Sequence, residues 1–242
     1  MHRRQLLTAG GALAATAALP GCARAIAAPP PAAAVATPGQ TVWTFDRLEA
    51  IGGHATTVEG APVLIDAPAG KAVKFDGVDD ALFIDNHPLA GAERFTFEAV
   101  FRPDGGAFEQ RWLHLQEADD VSAAQGQPPG TRFLFEIRVE GAEWWLDAFI
   151  KGPGYNQVLI FPEKRHPVGQ WFHVAQTYDG TTYRSYVDGV LQGEAPVAFK
   201  AQGRGRASVG CRINRVNFFN GAVREARFTP EPLTPDRFTR PA

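Results

Sequence analysis

Several short stretches place carboxylates, guanidinium groups and flat rings at every second position. Trp112, His114 and Gln116 alternate with Leu113 and Leu115. Glu136 and Arg138 alternate with Phe135, Ile137 and Val139. Trp145, Asp147 and Phe149 share one parity, with Lys151 following, and Arg212 and Asn214 alternate with Cys211 and Ile213. Arg184 and Tyr186 add to the set. In an extended chain, residues of one parity project to one side. Such a side suits a sugar: hydroxyls exchange hydrogen bonds with Arg, Asn, Asp and Glu, and the C–H face of the ring lies on an aromatic. Arg138 and Arg212 would clamp hydroxyls or a uronate. Glu136 and Asp147 would accept hydroxyl protons in hydrogen bonds, and Trp112 would stack. The alternative is a solvated sheet face of cross-strand ion pairs, each worth about 0.2–1 kcal/mol.

The same residues could catalyse. A glycoside hydrolase needs two carboxyl groups, about 5–5.5 Å apart for retention or 6.5–9.5 Å for inversion. Glu136 and Asp147 lie on successive runs that a hairpin would bring together, Glu98 is a third carboxylate, and His114 is a candidate acid–base partner. A polysaccharide lyase instead needs cationic or amide groups to neutralise a uronate and a base to take its proton. His173, in Trp171-Phe172-His173-Val174-Ala175, reads as a satisfied structural histidine.

Those residues need strands to hold them. Phe95, Phe97, Ala99 and Phe101 alternate with Thr96, Glu98, Val100 and Arg102; Phe133, Phe135, Ile137 and Val139 alternate with Arg132, Leu134, Glu136 and Arg138. Turns such as Asp104-Gly105-Gly106, Asp179-Gly180 and Asp188-Gly189 separate the runs. No long 3.6-period segment intervenes. The expectation is an all-β protein, a sandwich or barrel of antiparallel strands. The 242 residues, 45% hydrophobic and 21% charged, exclude a disordered tail and suffice for one large β domain.

The N-terminus reads as an export signal over residues 1–25. Arg3-Arg4-Gln5-Leu6-Leu7 looks like a twin-arginine signal, and Leu6 to Leu19 is apolar and uncharged; an ordinary secretory signal is the alternative. The apolar stretch falls short of the ~20 residues that span a bilayer. Leu19-Pro20-Gly21-Cys22 resembles a lipobox, with proline where a small residue is usual. Ala23-Arg24-Ala25 offers a competing cut. The expected location is therefore the periplasm, the cell envelope or the exterior, with a membrane contact only through a lipid on Cys22. Residues 26–40 form an Ala/Pro-rich linker containing Pro29-Pro30-Pro31, and residues 41–242 the domain. Cleavage before Cys22 leaves about four net negative charges, which argues against nucleic acid as a partner. Cys22 and Cys211 are the two cysteines; no disulfide scaffold or zinc spacing exists, and Cys211 reads as a buried small hydrophobe.

Four segments in order carry a resemblance: Val73-Lys74-Phe75-Asp76-Gly77-Val78-Asp79-Asp80 before Phe95-Thr96-Phe97-Glu98-Ala99; the Trp171–Ala175 segment; Tyr178-Asp179-Gly180 with Tyr186-Val187-Asp188-Gly189; and Gly221-Ala222-Val223-Arg224-Glu225-Ala226-Arg227-Phe228. From Val42 to Phe238 the chain resembles the laminin-G-like jelly roll of the concanavalin A-like lectin/glucanase superfamily. The resemblance implies a two-sheet antiparallel jelly-roll sandwich with a sugar or protein ligand on the concave face or loop rim. It does not choose among lectin, glycosidase, lyase and adhesion module. Lys151-Gly152-Pro153-Gly154-Tyr155-Asn156-Gln157 is similar to a strand of one alginate lyase family, and His114-Leu115-Gln116 to its Gln-x-His reversed. The Arg-x-Glu-Leu-Arg strand expected before the histidine is absent, since Glu136-Ile137-Arg138 follows it; the Glu-x-Asp-x-x-Glu strand of glucanase relatives is absent too. Relatives also hold a structural calcium, for which Asp46, Asp76, Asp79 and Asp80 could supply oxygens, although Arg224 stands where an acid is expected. No other cofactor and no metal-ligand set are assigned. The reading is an exported protein that binds glycan on a concave polar face. A glycoside hydrolase or polysaccharide lyase acting on an acidic glycan in the same groove is the first alternative, and a protein-adhesion module the second.

Overall fold

The computed structural model describes residues 39–124 and 130–239. The export signal, Cys22 and all of the 26–40 linker but its last two residues lie outside them. Two antiparallel sheets form the expected jelly-roll sandwich. Sheet I runs, edge to edge, Val190–Pro196, Thr182–Val187, Phe172–Tyr178, Phe95–Pro103, Asn220–Thr229, Gly70–Asp76 and Val63–Ala67, with Thr41–Thr44 also on Asn220–Thr229. Sheet II runs Tyr155–Ile160, Glu143–Gly152, Arg132–Glu140, Glu109–Glu117, Gly205–Val209, Ala81–Ile84, His54–Glu59 and Ala50–Ile51, with His166–Pro167 on Glu143–Gly152. Among the described residues no helix is long and apolar enough to cross a membrane.

The inward parity of each strand makes the core. Phe95, Phe97 and Phe101 of sheet I meet Phe133, Phe135 and Trp144 of sheet II, all fully buried. Phe95 and Phe133 pack edge to face with centroids 5.2 Å apart, the arrangement the ring quadrupole favours.

The outer faces differ. On sheet I the C-terminal segment lies across the strands. Phe238 packs on His173 and Tyr186, Thr239 N–H donates to Glu98 Oε1 at 2.6 Å, and Leu233 N–H donates to Thr96 Oγ1 at 2.7 Å. His173 pairs with Glu98 at 3.1 Å and is the satisfied buried histidine that its sequence setting indicates. The outer face of sheet II carries Arg111, Glu136, Arg138 and Asp147.

Candidate functional site

Register builds the site. Asp147 stands opposite Glu136, and Glu136 opposite Arg111, so three neighbouring strands contribute one charged row. The next row outward holds Trp145, Arg138 and Glu109. Cross-strand neighbours have Cβ atoms about 4.5–5.5 Å apart, so these side chains must interact. Arg111 Nε donates to Glu136 Oε1 and its Nη1 to Glu109 Oε2, both at 2.7 Å. Arg138 Nη2 lies 2.5 Å from Asp147 Oδ2, 3.6 Å from Glu109 and has Nη1 3.8 Å from Glu136. The Glu136 and Asp147 side chains are only 4% exposed and the two arginines 12%. Burial raises the Glu136 carboxyl to about 7, helped by the Asp147 charge, while Arg111 and Arg138 oppose the shift. Burial raises Asp147 too, against the pull of Arg138. Both carboxyls are thus pushed the same way, towards the protonated form.

Aromatic groups border the row. Arg138 lies over the Phe108 ring at 5.8 Å, Arg165 over Trp145 at 4.8 Å, and Arg132 over Phe149 at 5.0 Å. Phe108, Val158 and Ile160 are exposed beside them.

The structure brings Glu136, Arg138, Asp147 and His114 to one face, and two expectations are corrected. Trp112 does not share that face. A β-bulge between Arg111 and Leu113 turns Trp112 inward; it stacks on Phe101 at 4.9 Å and is 1% exposed. Arg212 and Asn214 are not on a strand. They sit on a turn closed by an Arg212–Val216 bridge, with Asn214 exposed and Arg212 partly buried. That turn is tied to the face through Ile213 N–H, which donates to His114 Nδ1 at 3.0 Å. Glu98, Arg184 and Tyr186 belong to sheet I, away from the row. Arg111 and Glu109 had not been singled out: by strict alternation with Leu113, Arg111 would point into the core, and only the bulge brings it out.

The acidic turn also has an account. Carboxylate oxygens of Asp76, Asp79 and Asp80 lie within 4.8 Å of one another. Asp76 Oδ1 accepts from the N–H groups of Val78, Asp79 and Asp80, and Asp80 accepts from Ala61 and Asp76. Asp46 pairs with Arg47 instead. Backbone N–H groups therefore already take Asp76 Oδ1 and both Asp80 oxygens.

A family model described as the concanavalin A-like lectin/glucanases superfamily, of laminin-G type, matches residues 76–237. The chain belongs to that superfamily. No curated protein matches this superfamily member. Among solved structures it is similar to domain 4 of AbnA, a GH43 extracellular arabinanase from Geobacillus stearothermophilus in complex with arabinotriose. That match has 17% identity over 81% of this chain and 94% of the other, with a TM-score of 0.60. It is also similar to a Trypanosoma rangeli sialidase in complex with 2,3-difluorosialic acid (13% identity, 84% of this chain, 32% of that one, TM-score 0.56). A third likeness is the botulinum neurotoxin serotype D binding domain (11%, 82% and 49%, TM-score 0.56). The superfamily member spans half or less of the latter two chains. At these identities the likeness is one of fold.

Proposed function

We propose that this is an exported carbohydrate-binding protein whose ligand lies along the outer face of sheet II. The observation that carries the reading is the in-register row Arg111–Glu136–Asp147 with Arg138, flanked by Phe108 and Phe149, on a face the C-terminal segment leaves clear. A rigid sheet loses little order on binding, and guanidinium edges beside rings suit hydroxyls and C–H faces. The carbohydrate complexes of the arabinanase domain and the sialidase support the general kind of ligand.

Binding fits the geometry better than glycoside hydrolysis. A hydrolase needs two carboxyls facing a bond from separate positions. Here Glu136 and Asp147 abut, are nearly buried and are each held by an arginine. They form the floor, and the arginines and rings above it meet the sugar. The test is binding to an array of arabinans, glucans, polyuronates and sialylated glycans by the full chain and by Arg138→Lys and Phe149→Ala. Arg138→Lys keeps the charge beside Asp147 and loses the fork. Retained folding with weakened binding is expected. Binding to no glycan, or equal binding by all three proteins, overturns the reading, and release of reducing ends would move it to the hydrolase class.

A further inference from the structure

Beside the acid pair, the same face holds three arginines that form no ion pair among the described residues. Arg132 stands opposite Gln116, and Gln116 opposite Arg206. In the adjoining row, which lies between this one and Glu136, His114 stands opposite Leu134 and Ser208. Arg212 reaches the same place on the 211–217 turn. Among the described residues, Arg132, Arg206 and Arg212 make no ion pair, whereas Arg111 and Arg138 each make at least two.

His114 shows what the cluster lacks. It is 1% exposed. Its Nδ1 accepts from Ile213 N–H, so its proton sits on Nε2. That Nε2–H has no partner, and neither has the buried Nε of Arg132. Burial holds the imidazole well below its usual range, and Arg212, Arg132 and Arg206 reinforce the effect. Buried donors without acceptors are rare and costly, and three cations around one donor repel each other. Both costs vanish if an anion sits among them. Next to the cluster a groove of about 340 Å³, lined by Phe83, Ile213, Arg206 and Arg215 with Asp85 also on its wall, leaves room for the rest of a ligand.

We propose that Arg132, Arg206, Arg212 and His114 Nε2–H form an anion subsite for the carboxylate of a uronate unit in an acidic glycan. Planar guanidinium forks match the two oxygens of a carboxylate. The uronate carrier rests on the glycan reading above; the anion subsite rests on the unpaired donors alone.

The test compares an oligogalacturonide with a neutral arabino-oligosaccharide of equal length, by calorimetry on the full chain and on Arg206→Gln, Arg212→Gln and the double variant. Arg206 is exposed and Arg212 partly buried, and neither makes an ion pair among the described residues, so the variants should fold. The wild type should prefer the acidic ligand, and the double variant should lose about tenfold or more of that affinity with neutral binding unchanged. The acidic preference should shrink at about 0.3 M salt. Equal binding of the oligogalacturonide by wild type and double variant overturns the proposal. Binding of the neutral ligand alone, weakened in Arg138→Lys, overturns it while leaving the glycan reading standing. Free galacturonate raising the Tm of the wild type but not of the double variant, with neither oligosaccharide bound, keeps the anion subsite and removes the glycan reading. Tighter binding of a sulfated glycan than of the uronate overturns the carboxylate assignment.

Discussion

Glu136 and Asp147 stand directly opposite each other on adjoining strands of sheet II, each gripped by its own arginine. Burial and the Asp147 charge raise Glu136 from 4.5 to about 7. Between those values the folded protein keeps a proton that the unfolded chain has released. The stabilisation is fully present below about pH 4.5, declines as pH rises, and is lost above about pH 7. Removing either carboxyl also strands a buried arginine, so the slope is the informative quantity. His87 and His114, held neutral by burial, give the opposite slope over part of this range, so the difference decides: from pH 4.5 to 8 the Tm of Glu136→Gln should rise relative to that of the wild type. Parallel profiles would show that the pair does not titrate in that range.

Trp112 sits between the sheets, against Phe101, Phe97 and Phe135. Trp112→Ala should cost about 3–5 kcal/mol through the cavity it leaves. Trp112→Phe should cost less and leave ligand affinity within about twofold, because the ring never reaches the outer face. Denaturant unfolding and a binding titration on the same two proteins check this. Lost affinity in a fully folded Trp112→Phe would place the ring at the ligand.

The contrast between Trp112 and Asp147 shows what the sequence made legible. The Arg132–Glu140 and Glu143–Gly152 strands pair without interruption, so parity alone puts Glu136, Arg138 and Asp147 on one side and Phe135 and Leu146 on the other. In Glu109–Glu117 a single extra residue resets the parity. Nothing in Arg111-Trp112-Leu113 announces it, because a bulge reflects how the two partner strands twist. Arg212 and Asn214 alternate with apolar residues as a strand would, yet the bridge from Arg212 to Val216 makes a turn. The unpaired state of Arg132, Arg206 and Arg212 was hidden for a related reason. It depends on which acids lie across three strands and a loop, and spacing along the chain does not encode that.

Gly210 starts the turn that carries Arg212. Its φ is +91°, and a Cβ there would come 2.4 Å from the Phe75 ring and 2.7 Å from the Asp80 carbonyl oxygen. Neither contact is with a flexible tip that could move aside. Gly210→Ala should therefore cost about 3 kcal/mol from left-handed backbone and overpacking together. Because the strain falls on the hinge of the turn, acidic-ligand affinity should drop along with stability. Urea unfolding measures the first, and an unchanged midpoint would mean the turn can rebuild itself around a side chain.

Cys211 lies one residue further on and is fully buried. Burial pushes its thiol up to about 12, with the Glu59 charge adding to the effect. Thiolate is the reactive form, so the native thiol has two barriers to modification: it is protonated at neutral pH, and reagent has no path to it. In a Cys22→Ser chain, a disulfide reagent at about pH 8 should label Cys211 only as fast as the domain opens. Labelling should become rapid and complete once denaturant exposes the thiol, whose ordinary value in an unfolded chain is near 8.5. The rate should fall when an oligogalacturonide is bound, because the ligand would tie the 211–217 turn to the sheet. Rapid labelling of the native protein would mean that the turn is open in solution, and the arrangement with Ile213 N–H bonded to His114 would then not be the resting state.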